Sequence, residues 1–201
     1  MDIVCLDLEG VLVPEIWINV AQKTGIEALR LTTRDISDYD ILMNGRLEIL
    51  RKHKLSLADI QDVIATIRPL DGAIKFLSEL REKTQVIILS DTFTEFAKPL
   101  MKQLSYPTLW CNNLVIGKGG MIEDYKLRIR DGKYHAIQAL KALNFRTFAA
   151  GDSYNDLSMI EESDAGCLFR APEGILESHP HLAQATTYEE FSMVIDEFLH
   201  R

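Results

Sequence analysis

The chain has 201 residues, 47% hydrophobic and 26% charged, with a net charge of −8. That length suits one domain, or a domain with an insert, able to bury a sizeable core. An acidic balance with no basic patch or tail argues against binding nucleic acid or an anionic membrane surface.

Ile3 to Leu6 is a continuous apolar run, as in a buried parallel strand. It leads into Asp7, then Glu9 and Gly10. Pro14 opens a helical pattern through Ile16, Trp17, Val20 and Ala21, and Gly25 ends it. From Thr33 to Ile67 there is no strand signal. Tyr39, Leu42, Met43, Leu47 and Leu50 form one amphipathic stripe; Ser56 caps a second, through Leu57, Ile60, Val63, Ile64 and Ile67. Pro69 closes this block. Residues 14–68 therefore form a helical insert, and residues 1–13 and 69–201 the main body.

An alternating pattern follows. Gly72 to Leu80 is a helix with Ile74, Leu77 and Leu80 on its apolar face. Gln85 to Leu89 is a strand ending in Ser90-Asp91-Thr92, and Phe93 to Leu104 is a helix. Asn113 to Ile116 and Met121 to Ile129 make a hairpin across Gly117 to Gly120. Lys133 to Leu143 is a helix facing inward through Ile137, Leu140 and Leu143. Arg146 to Ala150 is a strand ending in Gly151-Asp152. Asn155 to Ile160 is helical, Ala165 to Phe169 a strand and Tyr188 to Leu199 a terminal helix. The alternation predicts an α/β fold, a doubly wound, Rossmann-like parallel sheet with a small helical cap after the first strand. Ligands bind such sheets at the carboxyl ends of the strands. Asp7/Glu9, Ser90/Asp91 and Gly151-Asp152 all fall at that edge.

These groups are what a carboxylate nucleophile needs to attack a phosphate monoester. An aspartate is ionised at neutral pH without a separate base. Magnesium, which favours a few oxygen ligands, removes its repulsion from the phosphate. A second carboxylate must protonate the leaving alkoxide and later activate water. The phosphoryl oxygens need a hydroxyl, amides and a lysine. Asp7 is the candidate nucleophile, Glu9 the acid/base, Ser90 the hydroxyl and Lys133 the cation; Asp152 is a metal ligand, with Asn155 and Asp156 just behind it. Taken singly, each has a simpler account. Ser90 could cap a helix, Lys133 could be one surface charge beside Lys126, Arg128 and Arg130, and Gly151-Asp152 could be a turn.

As a set, Asp-Leu-Glu-Gly, Ile-Leu-Ser-Asp-Thr, Lys133 and Gly-Asp-Ser-Tyr-Asn-Asp resemble the four motifs of the haloacid dehalogenase-like phosphohydrolases. Within that superfamily the chain is most similar to the phosphoserine phosphatases, especially the form that also transfers phosphoryl groups from phosphoserine to homoserine. The resemblance implies magnesium on Asp7, the backbone carbonyl of Glu9 and Asp152, with phosphate on Ser90 and Lys133. It implies that Glu15 and Arg46 grip the amino-acid end of the substrate and that Asn155 faces the phosphoryl group. An acid for an ammonium and a forked guanidinium for a carboxylate suit phosphoserine. Three departures stand out: Glu9 replaces the usual second aspartate, Asp91 adds a charge beside the phosphate site, and Glu15 lies nearer the nucleophile. The first two leave room for an acceptor alcohol such as homoserine.

A non-enzymatic receiver-type switch shares the aspartate, magnesium and lysine but carries its aspartate after a middle strand and has no such insert. A phosphatase of another small phosphomonoester is the nearer alternative. The three cysteines, Cys5, Cys111 and Cys167, show no pairing pattern and are read as free thiols of a reducing compartment. No basic region opens the chain and no apolar run approaches ~20 residues, so neither a signal peptide nor a membrane span is expected. The cytoplasm is the expected location. Oligomeric state is open, a homodimer being one option.

Overall fold

The computed structural model describes residues 1–32, 35–36 and 38–201; Thr33, the start of the strand-free stretch, lies outside the described residues with Arg34 and Ser37. The chain opens on β1 (Asp2–Leu6), whose two faces are both buried. Val4 and Leu6 join one apolar cluster and Ile3 and Cys5 a second, because a period of two sends successive side chains to opposite faces. This strand is the centre of the sheet. Beside it lie β2 (Gln85–Phe93), then β3 (Thr108–Ile116) and β4 (Ile122–Lys126) in one direction. In the other lie β5 (Arg146–Gly151), β6 (Ala165–Phe169) and β7 (Ala183–Ala185). The order is β4-β3-β2-β1-β5-β6-β7, and β4 alone of these runs antiparallel. The chain winds outward from β1 first one way and then the other, so the switch point falls between β1 and β5, where such folds place their ligands.

Helices cover both faces. α4 (Ala73–Lys83), α5 (Thr94–Gln103) and α9 (Tyr188–Leu199) pack on the Val4/Leu6 side. On the Ile3/Cys5 side lie α6 (Gly132–Ala142), α7 (Leu157–Glu162) and α8 (Glu173–Ser178). The helical insert holds α1 (Ile16–Thr24), α2 (Tyr39–His53) and α3 (Leu57–Thr66). It leaves and returns at one point, where Leu70 N–H donates to Leu12 C=O at 2.9 Å. Its apolar residues, among them Val20, Met43, Leu47 and Ile60, run into the same buried cluster as Val4 and Leu6. Its polar residues reach across to the body: Gln61 donates to Glu95 C=O at 2.8 Å, and Arg51 to Glu123 C=O at 2.9 Å.

Several sequence expectations need correction. Ile74 is 51% exposed and Leu143 69% exposed; α4 instead buries Ala73, Phe76, Leu77 and Leu80, and α6 buries Lys133, Ala136, Ile137 and Leu140. A spacing of three or four fits more than one stripe on a short helix, and packing chose the other. β2 runs on through Ser90-Asp91-Thr92 to Phe93, with an irregularity between Leu89 and Phe93. β3 begins at Thr108, where it pairs with β2 before turning to β4. α8 and β7 carried no clear sequence signal. Among the described residues, no helix is long and apolar enough to cross a membrane.

Candidate active site

Asp7 follows β1 directly, and its N–H donates to Ala150 C=O at 2.9 Å, extending the sheet ladder by one step. The same alternation that points Ile3 and Cys5 toward α6 points Asp7 there. At the start of α6, Lys133 places its ammonium 2.9 Å from Asp7 Oδ1 and 2.6 Å from Asp156 Oδ1. Lys133 is only 5% exposed and Asp156 is fully buried. Burial works against the Lys133 ammonium, but Asp156 and then Asp7 outweigh it and hold its pKa well above the ordinary value. In sequence Lys133 could be one surface charge beside Lys126, Arg128 and Arg130; the structure puts it between Asp7 and Asp156.

Asp156 is the hub of the floor. Its Oδ1 takes Lys133, and its Oδ2 accepts from the N–H groups of Asp152 and Ser153 and from the Ser153 hydroxyl, each at 3.1 Å. Ser153 and Asp156 form a capping box on the turn that follows β5, a Ser-x-x-Asp signal legible in sequence. The close fit depends on two glycines. A Cβ on Gly151 would fall 2.1 Å from Asp156 Cγ, and one on Gly10, whose φ is +74°, would fall 2.2 Å from an Asp152 oxygen.

Asp7, Asp152 and Asp156 are all buried, with ligand oxygens within 4.8 Å of one another. Burial first, then the Asp156 charge, pushes the Asp7 carboxyl well above its usual range, and Lys133 pulls it back only in part. Three carboxylates against one ammonium leave a surplus of two negative charges. A hard divalent cation fits this set: all donors are oxygens and the surplus matches its charge. Both Asp156 oxygens are already engaged.

Glu9 sits half-buried between floor and insert. Its Oε2 accepts from Ile16 N–H at 2.8 Å. Ile16 opens α1, whose N-cap, Glu15, makes no side-chain cap bond. Glu9 thus satisfies an orphan donor of a helix it does not belong to. Loss of water around it, then the nearby Glu15 charge, pushes its carboxyl up to about 8 despite the Ile16 bond. Ser90 and Thr92 are buried at the end of β2, and Thr92 N–H donates to the Ser90 hydroxyl at 3.2 Å.

Opposite the floor stands Arg46. Its guanidinium lies 4.5 Å over the Trp17 ring, and Nη2 donates to Leu31 C=O at 2.7 Å. Nε is buried without a hydrogen-bond partner among the described residues. Burial lowers its pKa to about 10, against the pull of Glu9, Tyr39 and Glu15. Floor and insert enclose a cavity of about 90 Å³ lined by Asp7, Glu9, Glu15, Arg46, Ser90 and Lys133, with Asp91, Asp152 and Asn155. Every site residue expected from sequence is therefore brought together. Wall residues that the sequence did not single out include Trp17, the platform under Arg46, and Tyr39, whose hydroxyl donates to Asp91 C=O at 3.2 Å. In sequence both look like ordinary members of an apolar stripe.

The family model for haloacid dehalogenase-like hydrolases matches residues 1–164. The chain belongs to the haloacid dehalogenase-like hydrolases. It is 56% identical over 190 residues to the phosphoserine phosphatase ThrH of Pseudomonas aeruginosa, covering 94% of this chain and 93% of that protein. It is 55% identical over 190 residues to a phosphoserine phosphatase of Pseudomonas syringae pv. tomato, covering 94% and 80% respectively. Among solved structures, a phospho-aspartyl intermediate analogue of phosphoserine phosphatase superposes with a TM-score of 0.76 at 20% identity, covering 92% of this hydrolase and 93% of that chain. A substrate-bound phosphoserine phosphatase complex gives a TM-score of 0.76 at 19% identity, with the same coverage. At that identity, the two structures speak for the fold.

Proposed function

We propose that this hydrolase is a phosphoserine phosphatase working through a phosphoaspartyl intermediate on Asp7, and that it also passes the phosphoryl group to homoserine. The observation that carries the reading is one cavity joining two unlike walls. One holds a buried carboxylate paired to lysine, the other an acid beside a buried guanidinium with an unpartnered Nε. The first suits a phosphate ester and the second an amino acid. Full-length similarity to named phosphoserine phosphatases supports the same substrate. In this reading residues 14–68 are the cap and residues 1–13 and 69–201 the catalytic core.

The chemistry follows from the groups present. Asp7, Asp152 and the Glu9 backbone carbonyl would hold a magnesium ion. That ion, when bound, supplies the positive charge that lets an anionic carboxylate approach an anionic phosphate. Asp7 attacks phosphorus; the aspartyl O–P bond forms and the bond to the seryl oxygen breaks. The Glu9 carboxyl, whose pKa is raised by loss of water around it and by the Glu15 charge, gives its proton to the leaving alkoxide. Ser90, Lys133 and Asn155 meet the phosphoryl oxygens. Glu9, now a carboxylate, takes a proton from the acceptor hydroxyl as that oxygen attacks phosphorus and frees Asp7. Attack in line with the Asp7–phosphorus bond puts the acceptor where the serine oxygen left. Homoserine carries the same ammonium and carboxylate as serine, so Glu15 and Arg46 can grip it in turn.

The test is phosphate release from L-phosphoserine, with and without magnesium and homoserine. The expected result is magnesium-dependent release, a share diverted to phosphohomoserine when homoserine is present, and neither product from Asp7→Asn. No release and no phosphohomoserine from the wild type would overturn the reading. Undiminished turnover of phosphoserine by Glu15→Ala and Arg46→Ala would move the substrate to another small phosphomonoester.

A further inference from the structure

We propose that Asp91 is an internal competitor of the phosphoryl group, a carboxylate that engages the phosphate donors and so weakens the hold on inorganic phosphate. The inference rests on reading the cavity as a phosphomonoester site. Asp91 Oδ2 accepts from Asn155 Nδ2 at 2.9 Å and lies 3.9 Å from the Lys133 ammonium, which itself contacts Asp7. Those two donors are the ones a phosphoryl group on Asp7 requires. A phosphate taking them meets a like charge at close range, and both cannot hold the donors at once.

The main chain of Asp91 is fixed. Its carbonyl accepts from the Tyr39 hydroxyl and from Asn112 Nδ2, each at 3.2 Å, tying it to the cap and to β3. Only the side chain can yield, and it has somewhere to go. It is 42% exposed and also lines a second cavity of about 480 Å³, which shares Lys133 and Asn155 with the first, extends past them to Leu127 and Ile129, and does not include Glu9, Glu15 or Arg46. Two side-chain positions follow, one on the donors and one turned into the second cavity. Apparent affinity for phosphate is then reduced by the fraction of molecules with the side chain turned away. A substrate also gripped by the cap can bear that reduction. Bare phosphate, which reaches none of the cap contacts, cannot. The expected consequence is easy product release and weak inhibition by phosphate.

The experiment measures inorganic phosphate binding by calorimetry, in the presence of magnesium, to the wild type, Asp91→Asn and Asp91→Gly. Both variants should bind phosphate about tenfold more tightly, a modest gain because Asp91 is partly screened by solvent. Thermal unfolding checks that each variant folds. If Asp91→Gly does not, Asp91→Asn fills the same volume without the charge and carries the test. Unchanged or weaker phosphate binding in Asp91→Asn would overturn the proposal, and so would tightening confined to the glycine variant, which would assign the effect to bulk. Phosphate binding is read directly, so it is separable from the identity of the substrate. Tighter binding beside a failed phosphoserine assay would sink only the substrate assignment, and normal turnover beside unchanged binding only the role of Asp91.

Discussion

The two walls of the cavity are built on opposite principles. On the floor the buried charges are bound into one network: Lys133 touches Asp7 and Asp156, and Asp156 takes four donors across its two oxygens. The cap wall is unfinished. Glu9 and Glu15 stand together as two acids, and Arg46 rests on an aromatic face, a backbone carbonyl and a methionine sulfur with its Nε unpartnered. A closed network holds a nucleophile in one geometry whatever ester arrives. An open one has donors and acceptors to give to a ligand, and so chooses among esters. Under the proposed function, general chemistry would lie on the sheet edge and selectivity on the insert.

If the floor is a closed network, opening it should cost stability. Asp156→Ala removes the Lys133 partner and leaves the amides of Asp152 and Ser153 without an acceptor. Breaking a buried pair in this way costs about 3–5 kcal/mol, less whatever is gained by relieving the repulsion between Asp156 and Asp7. In a chain of this size that lowers the melting temperature by roughly 10 °C. Adding Lys133→Met should recover part of the loss, since no unpaired ammonium remains buried. Thermal unfolding of the two variants checks this; a drop of a degree or two for Asp156→Ala would mean that the floor carries no such load.

The cap wall should fail differently. Arg46→Ala ought to leave the fold and the phosphoryl chemistry in place while raising KM for phosphoserine roughly 10- to 100-fold, the worth of a charge-assisted hydrogen bond to a carboxylate. An aryl phosphate with no amino-acid end should be hydrolysed almost as well as by the wild type. Steady-state kinetics on the two substrates separates the walls. An equal loss on both would place Arg46 in the chemistry and erase the distinction.

Much of this was legible before any coordinates. β6 and α9 begin and end where the apolar patterns do, and the Ser56 capping box starts α3 as its Ser-x-x-Asp spacing implies. Strand-end acids and glycines marked the floor because their residue types at a sheet edge have few other uses. What escaped depends on contacts far apart in the chain. Lys133 looks like any surface lysine until carboxylates from β1 and the turn after β5 converge on it. Thr108 to Asn112 holds strand-favouring Thr and Trp but no regular alternation of apolar and polar residues, and it pairs with β2. Exposed Ile74 and Leu143 show the limit of periodicity on short helices, where a shift of one position still looks amphipathic.

Glu9 is where the two walls meet, and it offers the finest test of the comparison. An aspartate at this position is one methylene shorter and cannot keep its carboxylate on Ile16 N–H while remaining at the leaving-group position. Glu9→Asp should therefore uncap α1, whose own N-cap supplies no side-chain bond. The loss of one such cap costs about 1 kcal/mol, which lowers the melting temperature by about 2–4 °C. Amide exchange locates it: faster exchange in the first turn of α1, with β1 and β5 unchanged, is the expected pattern. The released carboxylate should also move away from Glu15. Loosening spread evenly over the sheet would instead mean that Glu9 belongs to the floor alone, and that the insert is held without it.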